Sequence, residues 1–127
     1  MNRKETEFYI SENYGAEPDF PWVRYPDYMV FRHSGSRKWF AVIMKIPKEK
    51  LETAADGMLD ILNVKCEPFI IGSLRKEQGI FPAYHMSKDN WVSVALDGSV
   101  DAETIKMLIA MSFEMTTDKI RKSKPKV

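Results

Sequence analysis

Apolar residues along the chain recur with a period of two in some segments and with a helical period of 3.6 in others. Two strand-like runs, 28–33 and 38–46, flank Ser34-Gly35-Ser36-Arg37, whose composition is typical of a β-hairpin turn. The second run alternates between two largely apolar faces and is therefore expected in the centre of a sheet. One face carries Phe40, Val42, Met44 and Ile46, and the other carries Trp39, Ala41, Ile43 and Lys45.

Alternating or extended sequence predicts three further strand segments. A strand is expected at 58–65, where apolar and polar residues alternate near the end of the segment. A second is expected at 91–96, where alternate residues form two unequal faces. The extended segment 80–86 is expected at a sheet edge or at the start of a strand, because Pro82 cannot donate a backbone hydrogen bond. Residues 16–27 contain three prolines and are expected to form an ordered, aromatic-rich loop.

Helical spacing predicts three helices. The first is expected at 3–14 and the second, which is short, at 68–78. The third begins after Asp101, a good N-cap, and its apolar stripe continues for about five turns to Ile120. This order of elements predicts an α+β fold: a two-layer α/β sandwich in which the N- and C-terminal helices pack on one face of a twisted, mainly antiparallel sheet.

Composition favours one globular domain, 1–127, since 44% of the 127 residues are apolar and 29% are charged. No apolar run is long enough to span a bilayer and the N-terminus is charged, so we expect a cytoplasmic protein without a membrane partner, and a monomer. The net charge is only +1, which does not indicate a nucleic-acid partner. Residues 121–127 are expected to be a flexible basic tail, which is either a binding element or a solvated helix end. The basic residues from 119 onward are Lys119, Arg121, Lys122, Lys124 and Lys126.

Catalytic residue types are scarce. Cys66 is the only cysteine, so neither an internal disulfide nor a cysteine-rich metal site is possible, and we expect a buried or semi-buried structural thiol. His33 and His85 are the only imidazoles, and neither lies in a recognised nucleophile motif. Metal-ligand spacings and glycine-rich phosphate loops are absent from the sequence. We therefore predict no catalytic residue, no metal, no cofactor and no enzymatic activity.

Aromatic residues stand beside cations in two segments, 37–40 and 84–91. If neighbouring strand ends bring these segments together, they form a surface of stacking rings and cations of the kind that sequence-tolerant nucleic-acid binders use. The alternative is that the rings pack in the core or at its rim, beneath Lys and Arg stems. The candidate binding residues are Arg37, Lys38, Trp39, Tyr84, His85, Lys88 and Trp91.

The same segments resemble the MmcQ/YjbR family, from Tyr14 to about Arg121. The most specific element is the string Tyr84-His85-Met86 followed by Lys88 and Trp91, and the other matching segments are 31–33, 37–41, 65–68, 74–75, 96–98 and 112–113. The resemblance implies a CyaY-like fold, related to the frataxins, and a DNA-binding role. The family pattern matches Lys38, Trp39, Tyr84, His85, Lys88 and Trp91. A frataxin-like iron role is not expected, because the first helix offers only Glu5, Glu7 and Glu12 instead of a dense acidic ridge.

Two hypotheses for function remain open. In the first, the chain is a non-enzymatic DNA-binding module that uses Lys38, Lys88 and Trp91 with the basic tail, and binds weakly and without sequence preference. In the second, it is a small-molecule or protein-interaction domain with a pocket around Tyr84, His85, Lys88 and Trp91. A continuous basic stripe favours the first hypothesis, and a concave pocket favours the second.

Overall fold

The computed structural model describes residues 1–51 and 56–118. Five strands form one sheet, in the order β1-β2-β3-β5-β4, and every neighbouring pair is antiparallel. The three helices and the sheet confirm the predicted α+β fold. The basic residues from Lys119 onward and Ile120 lie outside the described residues. The strands are β1 (Met29–Arg32), β2 (Trp39–Pro47), β3 (Met58–Lys65), β4 (Ile80–Pro82) and β5 (Trp91–Ala95), and the helices are α1 (Arg3–Tyr14), α2 (Pro68–Leu74) and α3 (Ala102–Met115).

Capping residues fix where the helices begin and end. The Asn2 side chain accepts from the Glu5 backbone N–H while the Glu5 carboxylate accepts from the Asn2 N–H, which forms a capping box at the start of α1. Asp101 caps α3 as predicted by accepting from the Thr104 N–H at 2.8 Å. α3 ends at Met115, five residues before the predicted end at Ile120.

α2 ends at Leu74 instead of the predicted residue 78. After Leu74 the backbone forms tight turns, in which the Lys76 N–H donates to the Ser73 carbonyl and the Glu77 N–H donates to the Leu74 carbonyl. Gly79 then takes a left-handed φ of 85°, which turns the chain into β4.

α1 and α3 cover one face of the sheet. Ile10 from α1 and Ile105 and Leu108 from α3 are fully buried in a core shared with β-strand residues. These sheet partners are Met29, Phe31, Phe40, Ala41, Ile43, Leu62, Val64, Val92 and Val94. Packing against both terminal helices therefore accounts for one apolar face of β2 and β3.

A β-bulge at Phe40 changes which way two residues point. Phe31 pairs with Ala41, but Arg32 pairs with Trp39, so Phe40 is an extra residue on β2. Phe40 therefore joins the helix-side core, and Trp39 joins the opposite core with Val42 and Met44. The predicted alternation was wrong for Phe40 and Trp39. The Phe40 carbonyl accepts a hydrogen bond from the Ser112 hydroxyl at 2.6 Å, which ties α3 to the bulge.

Loops cover the second face of the sheet, and we call this the loop face. The segment 16–28 pairs with the sheet edge through two backbone hydrogen bonds of 2.9 Å between Asp19 and Val30. Trp22 and Tyr28 from this segment, and Tyr84 from the 83–90 loop, pack on the second core. That core contains Val30, Val42, Met44, Ile46, Leu51, Leu59, Ile61 and Ala95. Within the described part of the chain, no helix is long and apolar enough to cross a membrane.

Candidate functional site

The sheet topology brings the predicted binding residues to one end of the sheet. β2 and β5 both run antiparallel to β3, so their first residues lie at the same end. Trp39 opens β2 directly after Lys38, and Trp91 opens β5 directly after the 83–90 loop. Trp39 contributes to the loop face, and Tyr84 packs there as well. Segments 37–40 and 84–91 therefore converge at one end of the sheet, as a shared binding surface requires.

Trp39 is half-buried among side chains of its own chain. Its ring stands 5.6 Å from that of Trp22, at an interplanar angle of 79°. The guanidinium carbon of Arg32 lies 5.6 Å from the centroid of the Trp39 ring, within the range of a cation–π contact. The packing alternative therefore holds for part of the Trp39 surface, and the rest of the ring borders a cavity.

Two of the three predicted cations are held by partners within the chain. Arg37 lies 3.0 Å from a carboxylate oxygen of Asp19, and Arg32 donates to the same oxygen at 2.7 Å. The Lys88 ammonium donates to the Ala83 carbonyl at 2.7 Å. Lys38 is exposed at the start of β2. The supply of cations for an external anion is thus smaller than the sequence indicates.

A buried ring of hydrogen bonds fixes the 83–90 loop on the sheet. The Tyr84 N–H donates to the Ser93 hydroxyl at 2.9 Å, and the Asn63 amide donates to the Tyr84 carbonyl at 3.0 Å. The Ser93 hydroxyl donates to the Asn63 side-chain oxygen and closes the ring. Asn63 and Ser93 are fully buried, so each needs these partners to offset the loss of water. We call this arrangement the loop clamp.

His85 follows the loop clamp in a strained backbone conformation. Its φ of 61° lies in the left-handed region, which costs a non-glycine residue of the order of 1–3 kcal/mol. The imidazole is exposed and lies 4.1 Å from the Tyr84 ring between centroids. Residues held in such conformations cluster at binding sites, and His85 borders the cavity beside Trp39.

This cavity, which we call the ring pocket, has a volume of about 290 Å³. Trp22 stands nearly perpendicular to Tyr28, with ring centroids 5.8 Å apart and an interplanar angle of 76°. Tyr25 stacks on Tyr28 with centroids 4.7 Å apart. Ring faces and thioethers dominate the walls, so the pocket suits an apolar or polarisable group. Its lining residues are Trp22, Tyr25, Tyr28, Trp39, Met44, His85 and Met86.

The ring pocket differs from the predicted one. It includes His85, whereas Tyr84 and Lys88 line a separate cavity of about 40 Å³, and Trp91 is not among the described lining residues of either cavity. Sequence reasoning missed Trp22, Tyr25 and Tyr28 as site residues. Their signal was the density of rings and prolines in 16–28, which is unusual for a loop that only connects two elements.

Cys66 and His33, a candidate nucleophile and a candidate base, pack against other parts of the fold. Cys66 is fully buried, and burial raises the pKa of its thiol to about 11. The Nε2 atom of His33 lies 2.8 Å from the Thr116 hydroxyl, and burial lowers the His33 pKa from its usual value. In residues 1–51 and 56–118, no three His, Cys, Asp or Glu side chains are grouped as metal ligands.

Comparisons with known proteins place the chain in a family. The family model described as YjbR matches residues 12–115. The chain is 40% identical over 116 residues to the Bacillus subtilis (strain 168) protein named "Uncharacterized protein YyaQ", and the match covers 91% of this chain and 98% of that protein. A crystal structure of a Pseudomonas syringae protein superposes with a TM-score of 0.90 at 46% identity, and covers 91% of this chain and 99% of that one. A Deinococcus radiodurans protein with a DUF419 domain superposes with a TM-score of 0.61 at 28% identity, and covers 82% and 70% of the two chains. The chain belongs to the YjbR family.

Proposed function

We propose that this protein is a non-enzymatic binding protein and that the ring pocket is its ligand site. The observation that carries the proposal is the ring pocket itself, a concave cavity walled by aromatic residues. Small-molecule sites are concave, mostly apolar and usually about 300–1,000 Å³ in volume. At about 290 Å³ the ring pocket lies just below that range, which suits a small ligand or one group of a larger one.

Exposed apolar side chains in the segment that supplies one wall of the ring pocket support the proposal. Phe20, Val23 and Tyr25 are 54%, 96% and 44% exposed, and all three belong to the 16–28 segment that forms one wall. Exposed apolar residues grouped beside a concavity are typical of interaction sites. The loop clamp supports it further, because it fixes the backbone at Tyr84, directly before the lining residues His85 and Met86.

The protein's three tryptophans provide a direct test by NMR. Trp22 and Trp39 line the ring pocket and Trp91 does not, so a ligand in the pocket is expected to shift the first two indole N–H signals and leave the third in place. A small-fragment screen read on these signals checks the proposal. Trp39→Leu is expected to weaken the shift of the remaining Trp22 signal, whereas Phe69→Leu, at an exposed residue on α2, is expected to retain both shifts. If every hit leaves the Trp22 and Trp39 signals unchanged, the site is wrong.

DNA binding is the second candidate, because Lys38, Trp39, Lys88 and Trp91 converge at one end of the sheet. The ion pair of Arg37 weakens it, whereas Lys88, whose partner is a neutral carbonyl, keeps its positive charge. Five or six phosphate contacts from the sequence alone give a log–log salt slope of about −5, and removing Arg37 lowers the expected slope to about −4.

Fluorescence anisotropy with duplex and single-stranded DNA, from about 20 to 200 mM salt, tests this second candidate. Stacking on Trp39 or Trp91 is expected to favour single strands by roughly 1–3 kcal/mol per base. Absence of binding to both forms at about 20 mM salt by the folded protein excludes DNA as the ligand.

A further inference from the structure

We infer that the ring pocket selects a methylated ammonium group, that is, an organic cation whose nitrogen carries methyl groups in place of N–H donors. The inference rests on the proposed function, since it names the ligand class of the same pocket. It follows from three properties of the pocket: the angles between its rings, the charges of its lining, and its shortage of hydrogen-bond acceptors.

The ring angles favour a compact group over a flat one. Trp22 is nearly perpendicular to both Tyr28 and Trp39, at 76° and 79°, so these walls meet as the sides of a box. A flat heterocycle is best held between two parallel ring faces about 7 Å apart, which is twice the usual contact distance. The one parallel pair of rings, Tyr25 and Tyr28, has centroids only 4.7 Å apart and leaves no space between them. A rounded group that contacts several walls at once suits this geometry better.

The charges of the lining favour a cation. Among the described lining residues none carries a carboxylate, an ammonium or a guanidinium group, so an anion would find no fixed positive charge there. Aromatic faces carry partial negative charge and attract cations, most strongly at Trp. The Trp39 ring already contacts a cation of the same chain, because the Arg32 guanidinium carbon lies 5.6 Å from its centroid. Arg32 borders a neighbouring cavity instead of the ring pocket, and Asp19 contacts it at 2.7 Å.

The shortage of acceptors separates methylated from unmethylated ammonium. A primary ammonium brings three N–H donors that need acceptors after leaving water. The lining side chains offer only the Tyr25 and Tyr28 hydroxyls, the His85 ring, the two weakly accepting thioethers and no carboxylate. A quaternary ammonium has no N–H donor and loses less on entering a ring-walled cavity. The pocket is therefore expected to prefer choline to ethanolamine.

Three matched probes test the inference on the native 127-residue chain. Choline is the cation, 3,3-dimethylbutan-1-ol has the same shape without the charge, and ethanolamine has the charge without the methyl groups. Titrations read on the Trp22 and Trp39 indole signals are expected to give choline a Kd at least about tenfold below those of both other probes, as a partly desolvated cation–π contact provides. A peptide carrying Nε-trimethyllysine, compared with free choline, distinguishes a protein-borne group from a free metabolite.

Substitutions of Trp22 and Trp39 test whether their rings cause the preference for choline. Trp22→Leu and Trp39→Leu are each expected to reduce the preference for choline over its neutral isostere at least about threefold, while Phe69→Leu leaves it unchanged. Thermal melting monitored by circular dichroism identifies variants that fail to fold, and Trp39→Phe then provides a milder change at the same wall.

Each outcome separates this inference from the proposed function. Equal binding of choline and its neutral isostere overturns the inference and leaves a hydrophobic ligand site. Tighter binding of a flat probe such as adenosine also overturns it. If no probe and no fragment shifts the Trp22 or Trp39 signals, both the inference and the proposed function fail.

Discussion

Lys38, which precedes β2, and Trp39 and Phe40, which begin it, have three different environments. Lys38 is exposed, Trp39 is half-buried on the loop face, and Phe40 is fully buried beside Tyr14 and Phe113. Phe40→Ala is therefore expected to destabilise the protein by about 3–5 kcal/mol, Trp39→Ala by less, and Lys38→Ala by no more than about 0.5 kcal/mol. Urea denaturation of the three variants measures these losses. Equal losses for Phe40→Ala and Trp39→Ala would contradict the placement of the bulge.

His33 is expected to make stability depend on pH in the acidic range. Burial lowers its pKa in the folded protein, whereas the unfolded chain takes up the proton near pH 6.5. The unfolded state therefore binds more protons as the pH falls, and stability is present above about pH 6.5 and lost as the pH falls through the folded-state pKa. The urea midpoint is expected to drop between pH 7.5 and 5.5 in the native sequence and to drop less in His33→Gln. An equal drop in both would assign the effect to other groups.

Cys66 is expected to react slowly. With its pKa raised to about 11 by burial, the thiol carries very little thiolate at pH 8, and the thiolate is the reactive form. Iodoacetamide is expected to modify the folded protein far more slowly than free cysteine, and to modify it at the ordinary rate in concentrated urea. A fast reaction of the folded protein would instead indicate an activated thiol.

At the scale of elements, the loop clamp links two central strands to the 83–90 loop. Ser93→Ala removes one member and leaves the Tyr84 N–H and one Asn63 acceptor without this partner. The variant is expected to lose about 1–3 kcal/mol of stability and to exchange the Tyr84 amide proton faster. Hydrogen exchange followed by NMR measures both effects. Ser73→Ala, at an exposed position on α2, is the matched control and is expected to change neither.

Most of the helices and strands could be predicted from local sequence. The bulge at Phe40 and the packing of loops on the loop face could not. The start of α3 could be predicted, because Asp101 and the apolar stripe that follows it act within one helix. The bulge at Phe40 could not, because it depends on how Arg32 pairs with Trp39 across two strands. The ring pocket was missed for the same reason: Trp22 reaches Trp39 only because Asp19 pairs with Val30 and folds the 16–28 segment over the sheet.

At the scale of the whole molecule, the basic C-terminal residues and the ring pocket are expected to act independently. Neutralising the five basic residues after Asp118 changes the net charge from +1 to −4 without altering a pocket residue. Any DNA affinity is expected to fall at least about tenfold at low salt, because the two or three phosphate contacts expected from this segment disappear. Choline titration of the same variant is expected to match that of the native sequence. Loss of both activities together would show that one surface serves both.

The loop clamp also bears on how the central strands select their alignment. β3 is buried on both faces, so a slip of one residue against β5 would exchange one apolar face for another and lose little burial. In the native pairing, Asn63 lies directly opposite Ser93. A slip would place Asn63 opposite Val92 or Val94 and leave its buried amide without a partner, at a cost of about 1–3 kcal/mol. This polar pair therefore specifies the register of a sheet centre whose apolar pattern alone leaves it ambiguous.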